Sequence, residues 1–155
     1  MGEIVSSREI YAEPQRVYDA CRSIDLHVRL ARPIGGQALG GRTTGLSEQG
    51  DATHWSARFF GMKFRLETTI TLADPPWALD ETMTRGLFRQ FGHRYRIRSL
   101  DGRSLLTDRF YFQCPAGWLG QLVARWILLP RLRRAQEVRM DGLKLFCESG
   151  EAEIG

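Results

Sequence analysis

Three side chains in the middle of the chain, Glu81, His93 and Asp108, are of the types that transfer protons or hold a polar ligand. They lie in segments where apolar and polar residues alternate, which is typical of strands with one buried face. Asp101-Gly102 separates the segments that hold His93 and Asp108, and it is a strong signal for a two-residue hairpin loop. Such a loop places Tyr95 opposite Asp108 and His93 diagonal to it, within reach of a long side chain.

This cluster allows three kinds of role. A carboxylate on an apolar face needs a partner, because burying a lone charge costs several kcal/mol or more. His93, Tyr95 and Asp108 could satisfy one another and so fix the sheet, or they could offer polar handles to a ligand in a mostly apolar pocket. A pair of His93 with Asp108 or Glu81 could also move protons during cyclisation or dehydration of a carbonyl compound.

The hairpin loops also set the predicted strand register. With Asp101-Gly102 as one loop and Phe60-Gly61 as another, apolar residues pair with apolar residues, and a one-residue slip would move each to the other face. The resulting pairs are Ile97 with Leu106, His93 with Phe110, Phe91 with Phe112, Trp55 with Leu66, Ala57 with Phe64 and Phe59 with Met62. We therefore predict an antiparallel meander with one apolar face.

The rest of the chain predicts strands and helices in a definite order. A first strand at 3–11 precedes two short helices, one at 12–23 with Pro14 at its start and one at 24–31. A glycine-rich loop covers 32–45, and a long helix spans 117–148 with a bend near Pro130. Six further strands are predicted at 44–49, 52–59, 62–73, 77–85, 88–100 and 103–114.

The long helix is predicted to cover the apolar face of the strand that begins at Met62. Its apolar stripe consists of Leu119, Leu122, Val123, Trp126 and Ile127, and it changes phase after Pro130 to Leu132, Ala135, Leu143 and Phe146. The basic run at 130–139, "PRLRRAQEVR", is interpreted as the solvated face of this helix, with a membrane surface or an acidic partner as alternatives. On the second short helix, His27 either caps a cavity mouth or lies in solvent, and His54 is expected to be exposed.

Composition excludes several classes of protein. The 155 residues, 43% hydrophobic and 26% charged, suit one soluble domain. Three widely spaced cysteines give neither a disulfide framework nor metal-ligand spacing, and no phosphate-cradling loop or dinucleotide fingerprint is present, so we expect no metal and no cofactor. No apolar run approaches the ~18 residues of a membrane span. In the strand around His93 the aromatic residues face away from the arginines, which argues against nucleic acid.

The order of elements resembles the helix-grip fold of the START-like, or SRPBCC, superfamily, which includes the major birch-pollen allergen, lipid-transfer domains and polyketide cyclases. The resemblance is closest to a bacterial branch of small single-domain proteins described as ligand-binding or cyclase-like, and it covers nearly the whole chain. The stretches that carry it are "IDLH", "GLSEQGDATHWSARFFG", "ITLADPPWALDE", "GLFRQFGHRYRI", "LLTDRFYFQCPAGWLG" and "RWILLPRLRR".

This resemblance implies an α+β helix-grip fold in which a seven-stranded antiparallel curved sheet grips a long C-terminal helix, with two short helices between strands 1 and 2 and an apolar cavity between sheet and helix. The positions of His27, Glu81, His93 and Asp108 are typically polar and inward-facing in this branch. Phe59 departs from it, because the branch usually has His there, and this makes the cavity more apolar.

We therefore expect residues 1–155 to form a single cytoplasmic domain that binds a small lipid-like or polyketide-like ligand. The expected ligand-binding residues are His27, Trp55, Phe64, Leu66, Phe91, His93, Tyr95, Phe110 and Trp126. Alternatives are a cyclase or dehydratase with His93, Asp108 and Glu81 as catalytic residues, and a structural or interaction protein with a filled core. We expect no nucleic acid and no stable membrane insertion, and the chain could be a monomer or a homodimer.

Overall fold

The computed structural model describes residues 2–152, which form one antiparallel sheet of seven strands with helices on its inner side. The strands lie in the order β1-β7-β6-β5-β4-β3-β2, so β1 and β2 form the two edges. Their bounds are β1 Gly2–Ile10, β2 Gln37–Gly41, β3 Ala52–Phe59, β4 Met62–Asp74, β5 Ala78–Arg85, β6 Gln90–Leu100 and β7 Arg103–Gln113. This is the predicted α+β helix-grip architecture.

Both predicted hairpin registers are confirmed. Across the β6–β7 loop, Leu100 pairs with Arg103 and every predicted partner follows outward to Phe91 and Phe112. Across the β3–β4 loop, Phe59 pairs with Met62, and the predicted partners continue along both strands away from the loop. Because side chains alternate between the two faces, these registers determine which residues face the helices.

The position of β2 was predicted wrongly. The predicted strand at 44–49 is a loop, in which Leu46 forms an isolated bridge with Ser23 and Gln49 accepts a hydrogen bond from the backbone of Ala73 on β4. Strand β2 instead lies inside the predicted glycine-rich loop. The glycines are needed there, because a Cβ on Gly41 would lie 2.2 Å from the carbonyl oxygen of Ala52 on β3. Glycine is uncommon in strands, so the sequence pattern did not indicate that this glycine-rich segment forms a strand.

A bulge in β4 changes which of its residues face inward. Ile70 pairs with Glu81 and Leu72 with Asp80, so the residue between them, Thr71, has no direct partner. The expected alternation holds through Ile70, which is buried, but it then shifts by one residue, and Leu72 is exposed while Ala73 packs against the core. Leu72, which a regular alternation with Ile70 would place on the inner face, therefore lies on the outer side.

Two short helices follow β1, as predicted, and cover much of the sheet. Helix α1, Pro14–Arg22, and helix α2, Ile24–Leu30, precede a short 3-10 turn at Arg32–Ile34. Buried residues of α1 join Ile70, Leu79, Tyr95 and Ile97 of the sheet in the main core. Near Ile70 the inner face of β4 borders a small cavity that is also lined by Cys21 of α1 and Ile24 of α2. The long helix, predicted to cover this strand, contributes Met140 and Leu143 to the same core cluster.

The C-terminal helical segment has three parts: α3 at Gly117–Val123, a π-helical turn at Ala124–Leu128 and α4 at Leu129–Glu148. Pro130 lies in the first turn of α4, directly after the π-helical turn, so the helix is irregular where a bend was predicted. The wider π turn shifts the phase of the helix, and Ala124, Leu128 and Leu132 face the sheet. The predicted stripe from Leu119 to Ile127 is exposed to solvent instead.

Helix α4 is held along β1 and α1. Its buried residues Leu132, Met140 and Leu143 pack into the two core clusters, and Ser6 of β1 donates a hydrogen bond of 2.6 Å to Glu137. Arg8 of β1 pairs with Glu137 and Asp141 of the same helix. No helix in residues 2–152 is long and apolar enough to cross a membrane.

Candidate functional site

The sheet brings His93 and Asp108 together as the sequence predicted. His93 Nδ1 lies 2.9 Å from Asp108 Oδ2 and 3.2 Å from Oδ1. The Asp108 side chain is fully buried, whereas 11% of the His93 side chain is exposed. Within residues 2–152 the Nε2 atom of His93 has no hydrogen-bond partner, so the imidazole is oriented by Asp108 and keeps one nitrogen open. This geometry suits a general base or a ligand contact.

Tyr95 does not complete this pair. Its ring stacks on His93 at 5.6 Å between centroids, but its hydroxyl is buried and has no hydrogen-bond partner in the described part of the chain. The expectation that Tyr95 would help to satisfy Asp108 was wrong, although the two residues are direct cross-strand partners. Burial raises the pKa of the Tyr95 phenol well above its usual value, so it stays a neutral donor.

An arginine of α4, Arg139, completes the polar cluster, and the sequence reading missed it. Its guanidinium carbon lies 5.5 Å from the centre of the Tyr95 ring, and it donates to His27 Nε2. Burial lowers its pKa, but the neighbouring Tyr95, Asp108 and Glu81 raise it to a net value above the usual one, so the group is charged. Its Nε is buried without a partner, and it forms no ion pair among residues 2–152.

Gln136 is a second inward polar residue of α4 that was missed. Its side-chain amide donates to the backbone carbonyl of Asp108 at 3.3 Å, and its Oε1 is buried without a partner among the described residues. Gln136 and Arg139 lie between Leu132 and Leu143 on the side of α4 that faces the sheet. Extending that apolar stripe at steps of three and four residues would have found both of them.

His27 is half-buried and faces α4. Its Nδ1 is 2.8 Å from the carbonyl oxygen of Ser23, and its Nε2 faces Arg139. Nδ1 is therefore the donor and Nε2 the acceptor. Burial, followed by the positive charge of Arg139, holds the pKa of His27 well below its ordinary value of 6.5. His54, in contrast, is exposed as predicted and pairs with Glu67 at 2.6 Å.

Glu81 lies on the inner face but outside the His93–Asp108 pair. Its Oε1 accepts a hydrogen bond of 2.5 Å from Thr68, whose hydroxyl oxygen in turn accepts one of 2.8 Å from Trp55 Nε1. Glu81 and His93 are cross-strand partners, yet no hydrogen bond joins them. Trp55, Thr68 and Glu81 form part of the wall of a small cavity beneath α1 and α2, together with His27.

The space beside these residues is small. The cavity beside His27 and Glu81 measures about 10 Å³, which is room for about one water molecule. A larger space of about 310 Å³ is an open groove on the surface between α2 and β2. It is lined by Asp25, Val28, Gln37, Ala38, Leu39 and Thr43, so none of the expected site residues borders it.

The expected apolar ligand residues fall into two groups. Phe110 is buried and packs edge-on against Phe91 at 5.0 Å, while Phe64, Leu66 and Phe91 are half-buried on the inner face. Trp126 is 71% exposed, so it does not cover this face. The part of the inner face next to α3 is therefore apolar and only partly covered.

Comparison with known proteins identifies the fold. No protein-family model matches the chain, and no curated protein matches it. The solved structure of TTHA0849 from Thermus thermophilus is similar with a TM-score of 0.77 at 15% identity, covering 97% of this chain and 100% of that one.

Two further solved structures show the same architecture. Major latex-like protein 151 from Panax ginseng has a TM-score of 0.66 at 11% identity and covers 94% of this chain and 97% of its own. A START superfamily protein from Mycobacterium smegmatis has a TM-score of 0.64 at 13% identity, with 95% and 97% covered. These likenesses, all at low identity, show that the chain has the fold of a START superfamily protein.

Proposed function

We propose that this protein binds a small, mostly apolar molecule that carries a neutral oxygen group, in the space between the sheet and the C-terminal helix. One observation supports this above all: three buried polar atoms on the inner side, Tyr95 Oη, Arg139 Nε and Gln136 Oε1, have no partner within residues 2–152. Each buried group left without a hydrogen bond costs about 1–3 kcal/mol. A bound carbonyl or hydroxyl group would supply the missing partners.

The charges around these atoms favour a neutral head group over an acid. Arg139 is one positive charge, and it lies among two carboxylates, Asp108 and Glu81, that raise its pKa. A ligand carboxylate would add a third negative charge to this interior. A carbonyl oxygen accepts from Tyr95 and Arg139 without that cost, and a hydroxyl can also donate to Gln136. This chemistry agrees with a polyketide-like ligand.

Binding requires part of the helix to move. Ligand sites usually have several hundred Å³, whereas the cavity beside His27 and Glu81 has about 10 Å³. The segment 117–128 is held weakly, since six of its large apolar side chains face solvent and not the sheet. Its displacement would open the half-buried surface of Phe64, Leu66 and Phe91 to a ligand, with His93 and Tyr95 beyond.

The test combines one substitution with three probes of one shape: naphthalene, 2-naphthol and 2-naphthoate. Wild type is expected to bind 2-naphthol at least about tenfold more tightly than either of the others, as measured by ligand fluorescence. Tyr95→Phe removes a hydroxyl without a partner, so it should weaken 2-naphthol binding while leaving the free energy of unfolding equal or higher. Tyr111→Phe is the control, because Tyr111 lies on the outer face of the same sheet.

Failure would take a definite form. If no probe binds and Tyr95→Phe lowers the free energy of unfolding by about 1 kcal/mol, the hydroxyl is satisfied inside the protein and the filled-core alternative is correct. If 2-naphthoate binds most tightly, the head group is an anion held by Arg139, and the neutral class is wrong.

A cyclase or dehydratase activity is the second candidate, and the His93–Asp108 geometry favours it. With Nδ1 held by Asp108, the open Nε2 could remove a proton next to a substrate carbonyl. Turnover of a polyketide-like carbonyl compound that His93→Gln abolishes, with the urea midpoint unchanged, would support this candidate. A loss of about 3 kcal/mol of stability as the main effect would show that His93 serves to hold Asp108.

We also propose that residues 1–155 form one cytoplasmic domain of the small bacterial SRPBCC branch. Separate expression of 1–155 with a single cooperative unfolding transition would support the single domain.

A further inference from the structure

The first part of the C-terminal helical segment exposes large apolar side chains on almost every side. Six such residues lie here: Trp118 is 76% exposed and Trp126 71%, and each of the other four is close to half exposed or more. The six residues are Trp118, Leu119, Leu122, Val123, Trp126 and Ile127. A contiguous apolar surface of this kind usually marks an interaction site.

Two loops extend this surface. Phe60 and Met62 at the β3–β4 loop and Leu87 at the β5–β6 loop are also exposed. The three segments meet at one end of the molecule, because neighbours of each pack on one core cluster, and the Arg131 guanidinium carbon lies 4.1 Å from the centre of the Phe60 ring. We call this surface, formed by the exposed apolar residues of 60–62, 87 and 118–127, the apolar tip.

The surroundings of the apolar tip are strongly basic. Segments 55–66, 84–92 and 115–136 contain three, two and four Lys or Arg residues, nine in all, and no Asp or Glu. All nine are exposed. None of the nine forms an ion pair with any residue in the described range 2–152, although ion pairs hold many other arginines, such as Arg8, Arg42 and Arg96. Arg85 and Arg133 help to lower the pKa of Glu67 and Glu137, which lie just outside these segments, and the other seven charges are left for an external anion.

We infer that the apolar tip docks on the surface of an anionic membrane. Tryptophan and aliphatic side chains favour the boundary between head groups and acyl chains, and unpaired arginines favour anionic head groups. The segment 117–128 is about 18 Å long at ~1.5 Å per residue, too short for the ~30 Å hydrocarbon core, so it lies in the interface. This inference does not depend on the proposed ligand.

Other partners fit less well. A second copy of the chain would bring nine unpaired basic residues against nine more, and this repulsion opposes self-association through the tip. Nucleic acid would neutralise the arginines, but Leu119, Leu122 and Ile127 neither stack on bases nor hydrogen-bond to phosphates. Lipid provides both kinds of partner: negative head groups for the basic residues, and an apolar layer for the exposed apolar side chains of the tip.

Vesicle co-sedimentation of the full chain tests the inference. Vesicles of phosphatidylcholine with ~30% phosphatidylglycerol should bind the protein, and pure phosphatidylcholine vesicles should bind it at least about tenfold more weakly. Raising the salt concentration from ~0.05 to ~0.5 M should weaken binding, since it screens the arginines. A blue shift of tryptophan fluorescence on binding should accompany insertion of Trp118 and Trp126.

Matched variants identify the surface. Two double variants should each weaken binding about tenfold or more: Trp118→Gln with Trp126→Gln, and Arg133→Gln with Arg134→Gln. The double tryptophan variant should also abolish the blue shift. Trp77→Gln is the control for the tryptophans, because Trp77 is exposed but lies outside the tip. It should stay within about twofold of wild type. All of these side chains are exposed, so the melting temperatures should not change.

Three results would overturn the inference. The first is no binding to the anionic vesicles at low salt. The second is equal binding by the double tryptophan variant and wild type. The third is assignment of the tip to another partner: tighter binding to RNA than to vesicles, or a dimer that the double tryptophan variant loses, would show that the tip serves nucleic acid or a second copy.

Discussion

Mild acid should destabilise this protein through one half-buried imidazole, that of His27. In the folded state, burial and the positive charge of Arg139 hold its pKa well below 6.5, and its Nε2 accepts from Arg139. A proton on Nε2 would remove this acceptor and add a second positive charge beside the guanidinium. Because the unfolded chain binds the proton and the folded chain does not, the free energy of unfolding is unaffected well above pH 6.5 and falls below it.

The size of the effect follows from this linkage. A folded state that stays fully neutral sets the upper limit. With an unfolded pKa near 6.5, His27 then lowers the free energy of unfolding by at most about 1.4 kcal/mol at pH 5.5 and about 2 kcal/mol at pH 5.0. With a urea m value of about 2 kcal/mol per M, the midpoint at pH 5.5 falls by up to about 0.7 M. His27→Gln keeps an acceptor for Arg139 and cannot gain a proton, so it should lack this loss.

Urea unfolding between pH 7.5 and 5.0, followed by tryptophan fluorescence, measures the difference between wild type and His27→Gln. The other titratable groups are common to both proteins, so the difference between them isolates the contribution of His27. His54→Gln is the matched control, because His54 is exposed, and it should retain the His27 loss. If His27→Gln loses as much stability between pH 7.5 and 5.5 as wild type does, the imidazole is not buried in the neutral form and the site geometry is wrong.

Two further pairs of substitutions test the packing by urea midpoints. Gly41→Ala should destabilise the protein more than Gly50→Ala. Both glycines have a positive φ, which costs ~1–2 kcal/mol for alanine. Only at Gly41 would the added Cβ also clash with backbone, the carbonyl oxygen of Ala52. Equal losses would contradict the position of β2. Met140→Ala should lower the free energy of unfolding by about 2–5 kcal/mol, because Met140 is fully buried. Leu145→Ala, on the exposed side of the same helix, should lower it by under ~0.5 kcal/mol. A reversed order would contradict the orientation of α4.

Much of the site could be predicted because it depends on local register. The Asp101-Gly102 loop and the period-two alternation place Tyr95 opposite Asp108 and bring His93 to the same carboxylate, and the structure has this register. Loop length and strand period are short-range properties, so a single sequence contains them. The helix-grip order of elements follows from the same kind of signal.

Other features depend on contacts between distant segments. Strand β2 forms from a glycine-rich stretch because its backbone must approach β3 closely, and no side-chain pattern indicates such an approach. The π-helical turn at Ala124–Leu128 rotates the helix, so a stripe that looks buried in sequence, including Trp126, faces solvent. Helical periodicity alone cannot reveal this rotation, since it assumes one constant turn.

Arg139 shows the difference most clearly. In sequence it ends a basic run, and a charged residue in such a run is normally solvated. In the structure it faces inward, beside Tyr95 and His27, where Asp108 and Glu81 raise its pKa. These residues come from different helices and strands, so only the tertiary structure brings their charges and hydrogen bonds to one place. The sequence alone therefore determined the strand pairing that carries the His93–Asp108 contact, and the packing of α4 on the sheet decided which cation joins it.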